Sequence, residues 1–420
     1  MKKFGILFYL LICFFSLKAQ VATIFMADEP NLKTARTGIT ADYFVNASSL
    51  TTDFMNKFYK GGFIDAALKD KISARIKNSN RVGAEFNYGI FGAFKLDSFF
   101  HKTGYNLFFS IRDRQHLDMH FPKDFYNVSL YGNAMYAGKI ANLSNFSLNL
   151  IRYQQFQVAL FSTESDSSAR WGIGLSFLKG EQFQSIFAKK AKLFTSADEQ
   201  FIDFDMEIEM AQSDPSKKGF NATNGFGMGM DLYFEAPFQA TIGPSKLIVS
   251  VADIGLIRFN DHSVYRKQDS LFHYNGFQIN SIFDLQDSIF FKTSQDSIQN
   301  TILPPRNRSV TITLPTTLNL SFETKLNEHF HLSEGLRYLF NANNKLLAYV
   351  KGIIYFNKNI RTSATIGYGG YGNFNFGIGL GANLGSGFSV YAGSTNLEGY
   401  FIPSKTAGRA AFLSITKNFN

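Results

Sequence analysis

Cysteine is nearly missing from this sequence: 420 residues hold only Cys13. It lies inside an apolar stretch, Phe4 to Phe15, which follows Lys2 and Lys3 and leads into Ser16-Leu17-Lys18-Ala19. That layout is a secretory signal peptide, with cleavage expected between Ala19 and Gln20. A lipoprotein signal would put a small residue before the cysteine, and Ile12 stands there instead. Residues 1–19 are therefore read as signal peptide, and the mature chain has no thiol. Disulfides, thiolate catalysis and cysteine-ligated metals are excluded with it. Long apolar runs are also missing. Beyond the signal, no segment approaches the roughly 20 apolar residues a spanning helix needs. Charge of one sign is scarce too. Losing Lys2, Lys3 and Lys18 from 42 basic residues, against 33 acidic ones, lowers the net charge from +9 to +6. The basic residues are dispersed, which is no nucleic-acid footprint. Proline occurs nine times and tryptophan once.

What is abundant is Phe (47), Gly (34) and Tyr (19). So much Phe with a mean hydropathy of −0.08 means that apolar and polar residues are interleaved. The interleaving has a period of two, the signature of strands whose side chains point alternately to opposite faces. Val82, Ala84, Phe86, Tyr88, Ile90, Phe94 and Leu96 alternate with Glu85, Asn87 and Lys95. The pattern returns at Tyr105–Arg112, Ala169–Phe177, Phe226–Phe234 and, less regularly, 245–259, then as a meander through the C-terminal third. Connections such as Asn357-Lys358-Asn359 and Gly385-Ser386-Gly387 are hairpin turns. The expected fold is all-β: a transmembrane antiparallel β-barrel of about 14 (14–16) strands, occupying 81–420.

Two regions break the rhythm. Residues 20–80 alternate poorly, and Gly62–Ile76 has helical periodicity. This predicts an N-terminal, partly helical, plug-like segment packed in the lumen. Residues 260–308 are polar, with Pro304-Pro305 near their end, and read as long surface loops.

Chemistry-bearing patterns are few. Along Phe201–Met210, Asp203, Asp205, Glu207 and Glu209 share one face, a ladder of like charge that needs water, cations or bases opposite. Lys189, Lys190 and Lys192 could supply those bases. The ladder is read as a solvated, lysine-paired lumen wall or loop extension, and alternatively as a cation-selective lumen wall or a divalent site with oxygen ligands. His116 with His120, and His329 with His331, lack a third ligand in a zinc arrangement, and no metal or cofactor is expected. Glycine clusters at 367–372 and 377–381 lie between strands, where no helix follows to make a phosphate loop. No hydrolase or protease motif occurs, so the chain is read as non-enzymatic. The last strand ends in Phe419, a terminal aromatic of the kind that outer-membrane assembly machinery recognises.

Asn80-Arg81-Val82-Gly83, Tyr131-Gly132-Asn133, Ser176-Phe177-Leu178-Lys179-Gly180, Asn224–Asp231, Val251–Gly255 and Gly367–Gly372 carry a resemblance. In these the chain resembles an uncharacterised, DUF5723-like family of Bacteroidota outer-membrane barrels. That family is distantly similar to long-chain fatty-acid transporters and to the type IX secretion barrel subunit. The fatty-acid transporters' Asn-Pro-Ala segment is missing here. The resemblance implies an outer-membrane location, contact with membrane lipid and with barrel-assembly machinery, and no catalytic residue. Two functions fit. One is a transporter or channel for small hydrophobic molecules, with a hydrophobic ligand. The other is an accessory barrel of a secretion or outer-membrane assembly complex, with a protein partner.

Overall fold

A computed structural model of the chain describes residues 34–162, 169–275 and 303–419. Its strands in chain order are β1 (Ala35–Ala47), β2 (Asn80–Leu96), β3 (Tyr105–Phe121), β4 (Lys139–Asn142), β5 (Phe146–Ser162), β6 (Arg170–Thr195) and β7 (Ile202–Gln212). They continue with β8 (Gly225–Ala240), β9 (Gly243–Phe259), β10 (Val264–Tyr274), β11 (Arg306–Asn307), β12 (Val310–Thr313), β13 (Thr317–Lys325) and β14 (Phe330–Leu339). The last are β15 (Lys345–Tyr355), β16 (Ile360–Gly370), β17 (Phe374–Gly385), β18 (Phe388–Ser394) and β19 (Arg409–Phe419). Fourteen of them close an antiparallel barrel, as the alternation predicts. The seam runs between β1 and β19, from Ala35 opposite Phe419 to Val45 opposite Arg409. Closure leaves the wall no open edge, so the strands' backbone groups pair around the ring except at its bulges.

One end of the barrel carries tight turns, such as 356–359 and 386–387, together with the described chain ends. The other carries the longest of the described connections and all the described helices. Around the wall the exposed large apolar residues fall at one parity, as Phe86, Ile90 and Phe94 on β2 and Phe109 and Ile111 on β3. The opposite parity is buried and mostly polar, as Asn87 on β2 and Asn106 and Ser110 on β3. An apolar outer band around a polar interior is the arrangement a lipid-embedded barrel requires. No described helix is long and apolar enough to cross a membrane.

The N-terminal partly helical segment is present, and the structure divides it. Ala35–Ala47 is already wall, paired with β2 as well as β19, so the barrel begins before residue 81. Residues 20–33 lie outside the described residues. Helices α1 (Thr52–Lys60) and α2 (Ala66–Ser73) follow β1. The Thr51 hydroxyl accepts from the Phe54 amide and Asp65 Oδ1 from the Leu68 amide, which satisfies their first turns. Their apolar faces, through Phe54, Leu68 and Ile72, pack with α3 (Lys123–Tyr131) and with Ala47, Val82 and Phe121. In register, those three share the outward parity of Ile39 and Ile90. The helices therefore cap the rim at this end as the plug-like segment, where loop residues also fill the lumen.

Elsewhere the wall splits. β6 pairs with β8 over Arg170–Gly180, then with β7 over Gln184–Thr195. β7 pairs in turn with β10, so β6, β7 and β10 project beyond the barrel as a sheet. Part of the 260–308 region read as loop is thus strand, because β10 has a long partner in β7; residues 276–302 lie outside the described residues. Below the split the wall curls sharply at β8, where Gly225, Gly227 and Gly229 take inward positions. A side chain on Gly227 would collide with the Leu256 carbonyl. Their smallness lets Leu178 and Phe183 of β6 meet Ile257 and Phe259 of β9 in a closed core, with the Phe183 and Phe259 rings 4.4 Å apart.

Candidate functional site

The interior of the barrel is layered. At the loop end, Tyr371 reaches in from the β16–β17 turn and is 3 % exposed. Its hydroxyl donates to Asp118 Oδ1 at 2.9 Å. The same carboxylate accepts from the Asn343 amide at 2.7 Å, and Asn343 Nδ2 donates to the Ser147 hydroxyl at 3.0 Å. Arg81 holds the turn by donating to the Gly370 and Gly372 carbonyls at 3.0 and 2.9 Å. The Tyr371 ring lies against Gly83, where any Cβ would collide with it. Two turns from the far side of the barrel thus meet β2, β3 and β5 and make a polar ceiling.

Beneath it runs a chain of charged and amide groups. Asn87 Nδ2 donates to Asp42 Oδ2 at 2.9 Å, and Arg114 donates to Asn87, to Gln155 at 3.2 Å and to Asp253 at 2.5 Å. Asp231 accepts from the Asp253 amide at 2.7 Å and also from Gln157, which in turn accepts from Arg112 at 3.1 Å. Asp253 sits at φ 60°, beside the bulge where β8 and β9 shift register between Met230 and Leu232. The bulge turns its carboxylate toward Arg114 of β3, across the lumen from its own strand. Two carboxylates facing two guanidiniums over shared amides keep the buried charges paired, which low dielectric demands.

Toward the turn end lies a cavity of about 220 Å³. Phe91 and Phe108, stacked with centroids 5.9 Å apart, form one side, and Phe412 and Tyr391, 6.2 Å apart, another. Asp42, Arg112 and Arg114 of the charged layer border it, and Arg36 and Arg361 also line it. Arg361 lies over the Tyr391 ring, 4.8 Å from its centroid. Aromatic flanks with a few placed charges are the usual make-up of a small-molecule site.

None of these residues was singled out as a site from sequence. Arg112, Ser110 and Asn106 stood on the polar parity of β3, and Asp231 ended the alternating glycine run. That they converge depends on which strands close the barrel. The acidic ladder is elsewhere. Asp203, Asp205, Glu207 and Glu209 lie on β7, outside the fourteen-stranded ring, so the reading of a lumen wall is corrected. The cause is the split in the wall, which takes β7 off the barrel and into the projecting sheet. Its lysines do pair there: Lys189 with Glu207 at 3.0 Å and Lys190 with Asp205 at 2.8 Å. Lys192 stands opposite Asp205 in register. From β10 and beyond, His273 bonds Asp203, Tyr265 donates to Glu209, and Arg308 lies 3.9 Å from Glu209. The ladder is a paired, partly solvated sheet face. Phe419 ends β19 on the outward parity of Leu413, 44 % exposed. Ala19 and Gln20 lie outside the described residues. Among the described residues no group of three or more His, Cys, Asp or Glu is placed to hold a metal ion.

Fold and interior together define a closed β-barrel with a filled, polar upper lumen and an aromatic cavity below. The chain belongs to the DUF5723 family, a family of unknown function whose model matches residues 26–395. Comparison with curated proteins finds no match. Among solved structures it is similar to the TodX deltaS2S3 mutant monoaromatic hydrocarbon channel, at 7 % identity and TM-score 0.47, covering 92 % of this chain and 91 % of that one. It is also similar to the Pseudomonas putida toluene transporter TodX (8 % identity, TM-score 0.45, 96 % and 95 % covered). The translocator domain of the autotransporter NalP from Neisseria meningitidis matches at 7 % identity and TM-score 0.37 (93 % and 90 % covered). Likenesses at these scores bear on no functional conclusion.

Proposed function

We propose that this chain is a non-enzymatic outer-membrane barrel that binds and passes small, largely hydrophobic molecules. The observation carrying this reading is the cavity between the Phe91–Phe108 and Tyr391–Phe412 pairs, inside a wall whose outer parity is apolar. Apolar flanks would take the body of a ligand, and the charged layer above would limit passage of water and ions. Transit toward the loop end would need Tyr371 and Asn343 to leave Asp118. On this reading the exported chain meets membrane lipid with its outer parity and offers Phe419 to the assembly machinery.

The test has two arms. Native mass spectrometry of the detergent-purified protein should detect a retained apolar molecule, and deleting the gene should lower uptake of such molecules by whole cells. Ligand-free spectra together with unchanged uptake refute the proposal. Comparing gel migration with and without boiling establishes beforehand that the sample is a folded barrel.

A further inference from the structure

At the loop end, α1 and the β18–β19 connection are bonded together. The Thr52 and Asp53 amides donate to the Thr406 and Pro403 carbonyls at 2.8 and 3.0 Å, and Arg75, just past α2, donates to the Lys405 carbonyl at 2.9 Å. α1 buries Phe54 in the cluster that holds Ala47, Val82 and Phe121, all on the outward parity of the wall. Its last turn then presents rings to the outside. Phe58 is exposed, Tyr59 is 90 % exposed and, past the Gly61 cap, Phe63 is 85 % exposed. The bonded connection does the same with Tyr400, Ile402 and Phe401, the last 76 % exposed. Tyr43, on the outward parity of β1, is hydrogen-bonded to Tyr400 through their hydroxyls, so this surface continues the apolar outer band at the seam. Basic residues are interleaved with the rings. Residues 52–77 and 398–409 hold eight Lys and Arg against four Asp and Glu, and Lys60, Lys71, Lys77 and Lys405 are exposed.

We infer that α1 and the β18–β19 connection form an interfacial shelf: the exposed rings enter the lipid surface around the loop end, and the lysines hold the phosphate of an anionic lipid headgroup. This rests on the outer-membrane location in the reading above and is independent of the cavity. Rings this exposed are unfavourable in water, and several together mark a contact surface. Continuity with the outer band makes lipid the occupant. The shelf stands on the side of the wall that faces acyl chains, beyond Phe86, the uppermost exposed apolar residue of β2. Tyr and Phe interleaved with Lys is the residue mix of a membrane–water interface. The rings sit at headgroup depth, and a lysine lays its stem along them while its ammonium reaches a phosphate. The basic excess complements an anionic headgroup and gains nothing from a zwitterionic one.

The experiment places one reporter on the shelf. Trp171 is the chain's only tryptophan, so Tyr59→Trp in a Trp171→Phe background gives a single indole at a highly exposed position. The full chain is reconstituted into phosphatidylcholine vesicles with brominated acyl chains, and unheated gel migration confirms the folded barrel. Bromine should quench at least about half of the emission, and water-borne acrylamide should quench little. A chain that shows no folded barrel in vesicles fails the membrane reading itself. A folded, inserted barrel whose indole is quenched by acrylamide and not by bromine overturns the shelf alone. The headgroup is tested by the temperature at which the gel shift disappears, in neutral detergent with added lipid. Phosphatidylglycerol should raise it by about 3 °C or more over an equal amount of phosphatidylcholine, and inorganic phosphate should not raise it. Lys60→Gln combined with Lys405→Gln should remove that gain and leave the value in phosphatidylcholine unchanged. Equal stabilisation by the two lipids, or an equal gain from inorganic phosphate, overturns the headgroup assignment.

Discussion

The C-terminal arc, β13 to β19, and the arc from β5 to β9 are built from the same alternating pattern and end differently. In the first, strands of 7 to 12 residues join through short turns except between β18 and β19, with register shifts only beside Lys345 and Asn383. In the second, β6 runs 26 residues and changes partner partway. Shifts occur at Arg152/Tyr153, Ala188/Lys190 and Met230/Leu232. Each shift inserts a residue and exchanges the faces beyond it. On β6 the odd residues Trp171 to Phe177 face outward, whereas above Glu181 the odd residue Phe183 is 1 % exposed inside. Alternation is therefore a reliable guide to the face only between bulges. Where bulges cluster, the chain makes a closed core, a projecting sheet and the convergence of Asp231 and Asp253.

The sharpest way to break this contrast is at the β8 corner. Gly227→Val forces a branched side chain against the Leu256 carbonyl and should cost on the order of 3 kcal/mol or prevent assembly. Gly352→Ala in the C-terminal arc meets only the edge of the Phe330 ring, at 3.3 Å, and should cost less than about 1 kcal/mol. Urea unfolding and the folded fraction on unheated gels measure both.

Phe183→Ala should follow closely, at about 3–5 kcal/mol, because it opens a void in the closed core. Phe374→Ala, on the outward face of β17 and 56 % exposed, should cost a small fraction of that in the same denaturation assay.

Breaking the ladder should matter less. Lys189→Glu sets a carboxylate against Glu207 on the projecting sheet, where Lys189 is 66 % exposed. The barrel should keep its gel shift, and only 202–212 and 264–274 should gain hydrogen exchange, more at low salt than at high salt. Exchange spreading into β5 or β9 would mean that sheet and wall fold as one unit.

The smallest effect concerns pH at the β18–β19 connection, where helix α4 (Glu398–Phe401) sits. Burial raises the Glu398 carboxyl above its usual range, although its oxygens accept from the Phe376 amide and the Asn396 side chain. A carboxyl raised in the folded state opposes folding once it ionises. The penalty is absent below the unfolded value, grows as pH rises toward the folded value, and is constant above it. Glu398→Gln should therefore slow exchange of residues 397–402 above the carboxylate range and flatten its pH dependence. An unchanged pH profile would assign the dependence to another group.

Much of the barrel was legible in the residues. Glu85, Asn87 and Lys95 against Phe86, Ile90 and Phe94 mark β2, and the Asn and Gly turns mark the hairpins, because a strand's period of two is local. β1 was missed, since Thr37, Gly38 and Thr40 blur its alternation. The helix at Ala66–Ser73 was expected from the periodicity of 62–76 and that at Thr52–Lys60 was not, and nothing in an amphipathic pattern says where its apolar face will pack. The ladder misled for a related reason. Four carboxylates spaced by two define a face, and only the partners of β7 decide whether that face lines a bore or a projecting sheet.

By itself, then, the sequence determined that this chain is all-β and that its strands carry one apolar and one polar parity, the pattern a barrel turns toward lipid. Those are consequences of composition and of the backbone's own repeat, which each segment carries without reference to the others. Tertiary structure alone decided where the strands close, which bulges exchange the faces, and that Arg114 of β3 would meet Asp253 of β9, 139 positions along the chain. The same closure set Phe91 and Phe108 in one cavity with Tyr391 and Phe412. A cavity in a barrel belongs to strands from both ends of the chain, and their proximity arises only once β19 has paired with β1.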